Sequence, residues 1–128
     1  MVHLNTNILI GLVSDSRSMA KLVGRLLSEN EDVGVSAITW AEFMNGPVTA
    51  RARHLANATI NENFFPFCKD QAELAATLFN LSGRRRSSRQ DCMIAAAAII
   101  SNSSLATFNT PDFDRFTSHG LTLVDLPS

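Results

Sequence analysis

The chain has 128 residues, of which 45% are hydrophobic and 18% are charged, a composition that fits one globular domain with its own core. Eleven Lys and Arg against twelve Asp and Glu leave a formal net charge of -1, so the chain as a whole carries no field that would indicate nucleic-acid or membrane binding. We therefore predict a single domain, residues 1–128, in which any functional charge is local.

The cysteines and the apolar runs bear on the cellular compartment. Cys68 and Cys92 stand far apart without paired ligand spacing, which predicts buried, reduced thiols rather than a disulfide or a zinc site. No run reaches the ~18 apolar residues of a membrane helix, and the first residues do not resemble a secretory signal. The sequence thus predicts a cytoplasmic protein that does not contact a membrane.

Short apolar runs alternate with helical patterns along the chain. Strands are predicted at residues 2–4, 33–38, 64–68, 105–107 and 121–126. Helices are predicted after Asn5, over 19–27, from Thr39, within 48–63, over 70–81, from Ser88 and after Thr110. Pro66 cannot donate to a strand ladder, so its strand should lie at an edge. This alternation predicts an α/β three-layer sandwich with a small, mainly parallel sheet between helices.

Acid or amide side chains follow several of these strands or open a helix. They are Asn5, Glu42, Asp91 and Asp112. The simplest interpretation is that they cap helices, in capping boxes such as Thr39-x-x-Glu42 and Ser88-x-x-Asp91. In an open parallel sheet, however, ligands bind beyond the carboxyl ends of the strands, where these side chains would meet.

Carboxylates that meet in a crevice repel one another unless a cation holds them. Oxygen ligands without His or Cys select Mg²⁺ or Mn²⁺ over zinc. Such an ion can polarise a phosphate and generate a hydroxide, which predicts metal-assisted hydrolysis of phosphodiesters. The arginines just before Asp91 would hold the substrate phosphates, unless they only form a solvated loop. They are Arg84, Arg85, Arg86 and Arg89.

Four segments resemble, in order and spacing, the signature segments of PIN-domain ribonucleases, most closely those of VapC-type toxins from toxin–antitoxin modules. The segments are Leu4–Ile10, Ser36–Glu42, Asp91–Ala96 and Leu105–Phe113, and the resemblance spans essentially the whole chain. It implies a PIN fold, divalent-metal cleavage of RNA, a homodimer and a cognate antitoxin. The arginines at 84–86 and 89 would then bind either RNA or acidic side chains of the antitoxin.

The resemblance also implies roles for single residues. Glu42 and Asp91 match metal-binding acids, and Thr6 matches a hydroxyl that orders the site. The fourth family position falls on a segment that holds both Asn109 and Asp112. We assign Asp112 to the catalytic and metal-binding set and Asn109 to site ordering, with Asp114 as a further candidate for the fourth position.

Asn5 departs from the family pattern, which has Asp at this position. Asn keeps the shape and one carbonyl oxygen but loses the negative charge, so Mg²⁺ should bind more weakly. Three interpretations remain: a deliberately inactivated variant, a naturally weakened member, or a member whose other acids suffice. We favour the first, because an active toxin poisons the cell that produces it.

Two other functions and one surface complete the predictions. A non-catalytic module that binds RNA or an antitoxin would also explain Asn5, and its RNA binding would depend steeply on salt. A phospho-accepting receiver-like domain is disfavoured, because it needs a lysine near the last strands and the lysines are Lys21 and Lys69. Apolar helices around Leu22–Leu27 and Phe43–Leu55 are candidates for a dimer surface.

Overall fold

A computed structural model describes residues 1–14, 17–29 and 31–125. The strands are β1 (Val2–Leu4), β2 (Val33–Ser36), β3 (Phe64–Phe65), β4 (Ser104–Ala106) and β5 (Thr122–Leu123). The α-helices are α1 (Thr6–Val13), α2 (Arg17–Ser28), α3 (Ala37–Asn45), α4 (Ala50–Ile60), α5 (Lys69–Leu81), α6 (Arg89–Ile100) and α7 (Thr110–Phe113). Turns of 3₁₀-helix cover Arg86–Ser88 and Asp114–His119. The predicted strand end at Leu126 lies outside the described residues.

The described strands form one sheet in the order β3-β2-β1-β4-β5, with parallel pairing throughout. The predicted parallel sheet is confirmed, and β3 lies at an edge as Pro66 indicated. From the central strand β1 the chain passes first to β2 on one side and later to β4 on the other. The strand order therefore reverses at β1, which is where open α/β sheets bind ligands.

Helices cover both faces of the sheet, so the predicted three layers are confirmed. On one face, Leu4 and Val35 pack with apolar residues of α1, α2 and α4. On the other face, Leu105 packs with α5, α6 and α7. Within α6, Cys92, Ile94 and Ala95–Ala98 are at most 2% exposed, as the nearly continuous apolar composition predicts.

The predicted cap of α3 is wrong. The helix begins at Ala37, two residues before Thr39, and Ser36 at the end of β2 is its N-cap. The Ser36 hydroxyl oxygen accepts from the Thr39 N–H at 3.0 Å. Glu42 therefore lies beyond the first turn of α3, where a carboxylate does not cap the helix.

The predicted capping box at α6 is also absent. Ser88 precedes the helix, but its side chain makes no capping bond and its hydroxyl instead donates to the Arg85 carbonyl at 2.7 Å. Asp91 lies in the first turn of α6. The favourable interaction with the helix dipole remains, whereas the reciprocal cap that would explain Asp91 as a purely structural residue does not form.

Burial corrects two further predictions. Leu22, Leu26 and Phe43 are 1–3% exposed and belong to the core, so they do not contribute to the predicted dimer surface. Leu55 is exposed, and its part of that surface stays a prediction. Cys92 is buried as predicted, whereas Cys68 is exposed, and both thiols are free. No helix in the described ranges is long and apolar enough to cross a membrane.

Candidate active site

Asn5 occupies the switch point of the sheet, between β1 and α1. Its backbone N–H donates to the Ala106 carbonyl at 2.9 Å, which ties this residue to the end of β4. Its side-chain Oδ1 accepts from the Thr6 N–H at 2.9 Å, and its Nδ2 donates to the Thr107 hydroxyl oxygen at 2.9 Å. Asn5 is 6% exposed and both ends of its side-chain amide are bonded, so the direction of this side chain at the carboxyl edge of the sheet is fixed.

Thr107, the residue after β4, connects this edge of the molecule. Its Oγ1 accepts from the side chains of Asn5 and Asn7 and, at 3.0 Å, from the Asn109 N–H. The Asn7 Oδ1 in turn accepts from the Phe108 N–H at 3.3 Å. Sequence analysis did not assign Thr107 to the site. The signal for it was its position, because Thr107 follows β4 as Asn5 follows β1.

Two carboxylates on neighbouring helices act on the carboxyl of Asp91 at the site. Asp91, in the first turn of α6, is half-buried, and burial is the main cause that raises the pKa of its carboxyl to about 6. The charge of Asp112 on α7 raises this pKa further, and Glu42 on α3 adds a weaker effect. α6 packs against both α3 and α7, which explains why these acids are close enough to interact.

The candidates for the fourth family position differ in their surroundings. Asp112 acts on the Asp91 carboxyl, whereas Asp114 is not among the groups that shift its pKa. Asn109 is exposed, and its backbone N–H rather than its side chain binds Thr107. Electrostatic contact with Asp91 therefore favours Asp112, and Asn109 stays a candidate for ordering the loop.

Two buried polar atoms near these groups lack a hydrogen-bond partner within the described ranges: Thr6 Oγ1 and Arg115 Nε. The Arg115 guanidinium lies 4.8 Å from the centre of the Phe116 ring and lowers the pKa of Asp91. It forms no ion pair with a described carboxylate. Sequence analysis missed Arg115, because only the 3₁₀ turn after α7 brings it near Asp91.

The carboxylate and amide oxygens of the site are chemically suited to bind a hard cation. Their arrangement suits such a cation only in part. Carboxylate and amide oxygens are the ligands that Mg²⁺ and Mn²⁺ prefer, and a cation would relieve the repulsion felt by Asp91. Among the described residues, however, no group of three or more His, Cys, Asp or Glu is placed to hold a metal ion. Asn5 adds no charge, and its Oδ1 already accepts from Thr6. These residues therefore fit a weakly bound ion.

The four predicted arginines lie around the start of α6, and all four are exposed. Cζ of Arg84 and Cζ of Arg89 lie 5.4 and 5.5 Å from the centre of the Phe79 ring. None of the four forms an ion pair with a carboxylate in the part of the chain that the structure describes. Their positive charge is therefore not compensated by an ion pair with a described carboxylate at this end of α6, whose first turn also contains Asp91.

Comparison with known proteins gives a family and several structural relatives. A family model of the PIN domain matches residues 2–117. VapBC2 from Rickettsia felis, solved with a DNA fragment from its promoter, is 20% identical over 99% of this chain and 100% of that chain, with a TM-score of 0.76. VapBC-1 from nontypeable Haemophilus influenzae is 26% identical over 98% of both chains, with a TM-score of 0.73. A toxin–antitoxin complex from Klebsiella pneumoniae is 29% identical over 88% of this chain and 90% of that chain, with a TM-score of 0.67. No curated protein matches the chain significantly.

Proposed function

Because the chain belongs to the PIN-domain family, we propose that it is an endoribonuclease toxin of a toxin–antitoxin pair, weakened in this form by Asn5. The observation that carries the proposal is the electrostatic effect on the half-buried Asp91 of Asp112 and Glu42, which lie on helices α7 and α3 that both pack against α6. A divalent ion, Mg²⁺ or Mn²⁺, held by these oxygens would supply a polarised phosphate and a nucleophilic water.

Other residues of the chain orient the site, control the charge of Asp91 and bind the RNA. The bond to Thr107 holds the Asn5 side chain, and this fixes the direction in which the Asn5 Oδ1 faces a metal ion at the end of β1. Arg115 favours the charged form of Asp91, because its guanidinium lowers the pKa of that carboxyl. The arginines at 84–86 and 89 bind the phosphates of the RNA through charge-assisted hydrogen bonds.

Aspartate would suit position 5 without a change in the surrounding contacts. The Thr6 N–H would donate to one carboxylate oxygen as it now donates to Oδ1. The Thr107 hydroxyl, which can donate as well as accept, would turn its proton toward the other. Asn5→Asp should therefore fold, and its main effect is to add the missing negative charge.

We expect Asn5→Asp to create or increase Mg²⁺- or Mn²⁺-dependent cleavage of structured RNA. The gain should be at least about ten-fold, since changes even in the partners of metal ligands alter affinity or activity by 10–100-fold. The measurement pairs a calorimetric Mn²⁺ titration with cleavage of labelled tRNA, for the present chain and for the variant.

Two controls separate this effect from a general gain of charge. Asn102→Asp adds the same charge on an exposed turn between α6 and β4, at the opposite edge of the sheet, and should change neither readout. Asp91→Asn in the Asn5→Asp background should remove the gained activity. If folded Asn5→Asp neither binds Mn²⁺ nor cleaves RNA, residue 5 is not a metal ligand.

An antitoxin is the proposed protein partner. The Klebsiella relative was solved as a toxin–antitoxin complex, which supports such a partner here. An apolar groove of about 310 Å³ lies between α1, α3 and α4, lined by Ile10, Val13 and Phe43 among others, with Glu42 in its wall. An antitoxin segment in this groove would lie beside the acids and block them. A homodimer is also part of the proposal, by resemblance alone.

A non-catalytic module that binds RNA or an antitoxin is the second candidate. The observation in its favour is that the described acids do not form a ready group of three metal ligands. In this case restoring Asp at position 5 would change neither metal binding nor cleavage, while RNA binding would still weaken steeply with added salt.

A further inference from the structure

A groove of about 280 Å³ separates α5 from α6 on the side that carries the arginines. Three alanines of α5 line it, and their small side chains leave the space open between the helices. Phe67, Phe79 and Met93 supply its larger apolar surfaces, and Arg89 lies at its border. The groove therefore combines an apolar floor with positive charge.

The loop after α5 brings a second cation to this groove. Gly83 at φ +92° and Arg84 at φ +58° reverse the chain in left-handed conformations, and the Arg84 N–H donates to the Phe79 carbonyl at 3.0 Å. This turn carries the Arg84 guanidinium over the Phe79 ring, to 5.4 Å, while Arg89 from the first turn of α6 approaches the same ring to 5.5 Å. Two guanidinium groups thus converge on one aromatic ring that lines the groove.

The groove continues toward the acids. Arg89 and Met93 also line a second depression of about 370 Å³, and Glu42 is among its other lining residues. The two depressions share these two side chains, so they adjoin each other, one lined by Phe79 and the other by Glu42. A strand that crosses Arg89 from one depression to the other would pass from Phe79 to Glu42.

We propose that the groove lined by Phe67, Phe79, Arg89 and Met93 is a subsite for one unpaired nucleotide of the RNA substrate. The base packs against Phe79 and Met93, and the flanking phosphates meet Arg84 and Arg89. This rests on the proposed function, because the same strand must continue to the acids. An aromatic floor accepts any base, so the subsite selects for an unpaired strand rather than for a particular sequence.

Positive charge combined with an aromatic ring favours RNA over a protein segment as the occupant. Four arginines lie within six residues, and within the described ranges none of them has a carboxylate partner. Stacking of guanidinium groups on an aromatic ring beside an apolar floor is the combination that binds phosphate and base together.

The test measures binding of a fluorescent single-stranded RNA to the full chain by anisotropy, in EDTA so that no cleavage occurs. Phe79→Leu keeps an apolar side chain but removes the ring, and it should weaken binding about five-fold or more without changing the salt dependence. Arg84→Gln and Arg89→Gln should each lower the slope of log affinity against log salt by about 0.7. Fully base-paired RNA should bind Phe79→Leu and the unaltered chain equally.

Arg51→Gln is the matched control, because Arg51 is exposed on α4 and lines neither depression. It should leave affinity and salt slope unchanged. Circular dichroism and thermal melting establish that each variant is folded. If Phe79→Leu does not fold, Arg84→Gln and Arg89→Gln still test the proposal, because both residues are exposed. Unchanged salt slopes in both variants would overturn the subsite.

The other outcomes are also decisive. A folded Phe79→Leu with unaltered affinity overturns the proposal. Variants that change the mass measured by light scattering but not the affinity for RNA make the groove an interface between copies of the chain, which also overturns it. If the unaltered chain binds no RNA, both the subsite and the proposed function are wrong. If Asn5→Asp cleaves RNA and adding Phe79→Leu leaves KM unchanged, the subsite alone is wrong.

Discussion

Asp91 is subject to opposing effects from its neighbours. Burial and the carboxylates of Asp112 and Glu42 raise the pKa of its side chain to about 6, while the Arg115 guanidinium lowers it. The pKa of Asp91 is therefore much closer to neutral pH than the pKa of an exposed Asp. Residues of this kind concentrate at functional sites, because a group used in chemistry needs a tuned charge.

Removing Arg115 should shift this balance in one direction. Arg115→Met keeps an extended apolar side chain beside Phe116, and it should raise the pKa of the Asp91 carboxyl above about 6 because the opposing positive charge is lost. A carboxyl ¹³C NMR titration of Asp-labelled protein measures this directly.

Arg86→Met is the comparison for this experiment, because Arg86 is exposed and is not among the groups that shift the Asp91 pKa. It should leave the midpoint where it is in the unaltered chain. An Asp91 midpoint that does not move in Arg115→Met contradicts the role given to Arg115.

At the level of elements, the site depends on the junction between the end of β4 and the start of α1. Thr107 is the shared acceptor for donors from both segments. Thr107→Val has nearly the same shape but removes the acceptor, so the side-chain N–H groups of Asn5 and Asn7 would lose it. We expect a loss of about 1–3 kcal/mol in the free energy of unfolding, the cost of unsatisfied buried polar groups.

Urea unfolding measures this loss, and Thr107→Ser is its matched control. Serine keeps the hydroxyl and loses only a methyl group, so Thr107→Ser should cost distinctly less than Thr107→Val. Equal losses in the two variants would mean that the methyl group, rather than the hydrogen bonds, accounts for the effect.

The same junction illustrates what the sequence could reveal. The strand positions and the apolar α6 were predictable, because burial on two faces requires uninterrupted apolar runs. The cap of α3 was not, because Ser36 and Thr39 both offer a hydroxyl and the Thr39-x-x-Glu42 signature is local. The end of β2 at Ser36 decides between them, and that depends on the pairing of distant strands.

Some residues of the candidate site were likewise predictable from the sequence, and others were not. Asn5, Glu42 and Asp91 could be singled out because each follows a strand or opens a buried helix. The part played by Arg115 arises only from tertiary folding. Cys68 was predicted wrongly for a related reason: the apolar run before it predicts burial, whereas Cys68 is the exposed N-cap residue of α5.

At the scale of the whole molecule, His3 links stability to pH. It is 1% exposed on the central strand, its Nε2 lies 3.2 Å from the Ser101 hydroxyl oxygen, and its ring centroid is 4.0 Å from that of Phe65. Burial, and secondly the positive charge of the N-terminus, lower the pKa of His3 from 6.5 to about 4. The folded protein therefore resists protonation of this residue more strongly than the unfolded chain does.

This contribution to stability is fully present above pH 6.5 and declines as the pH falls toward 4, because the unfolded chain takes up the proton first. The loss should approach about 3 kcal/mol at pH 4. Denaturant unfolding at several pH values should show a smaller decline for His3→Gln, which carries no titrating group. His54→Gln, at an exposed position, should behave like the unaltered chain. Parallel curves for His3→Gln and the unaltered chain would refute the prediction.

The contact between Asn5 and Thr107 joins residues 102 positions apart in the chain. A chain still being made on a ribosome already contains α1 but lacks β4 and Thr107, so the bond to the Asn5 Nδ2 cannot form and Asp112 has not been added. Parallel strands that pair over such separations also fold slowly. If the chain has the proposed nuclease function, its site would be incomplete during most of its synthesis, and that delay would give the proposed antitoxin time to bind before RNA can be cut.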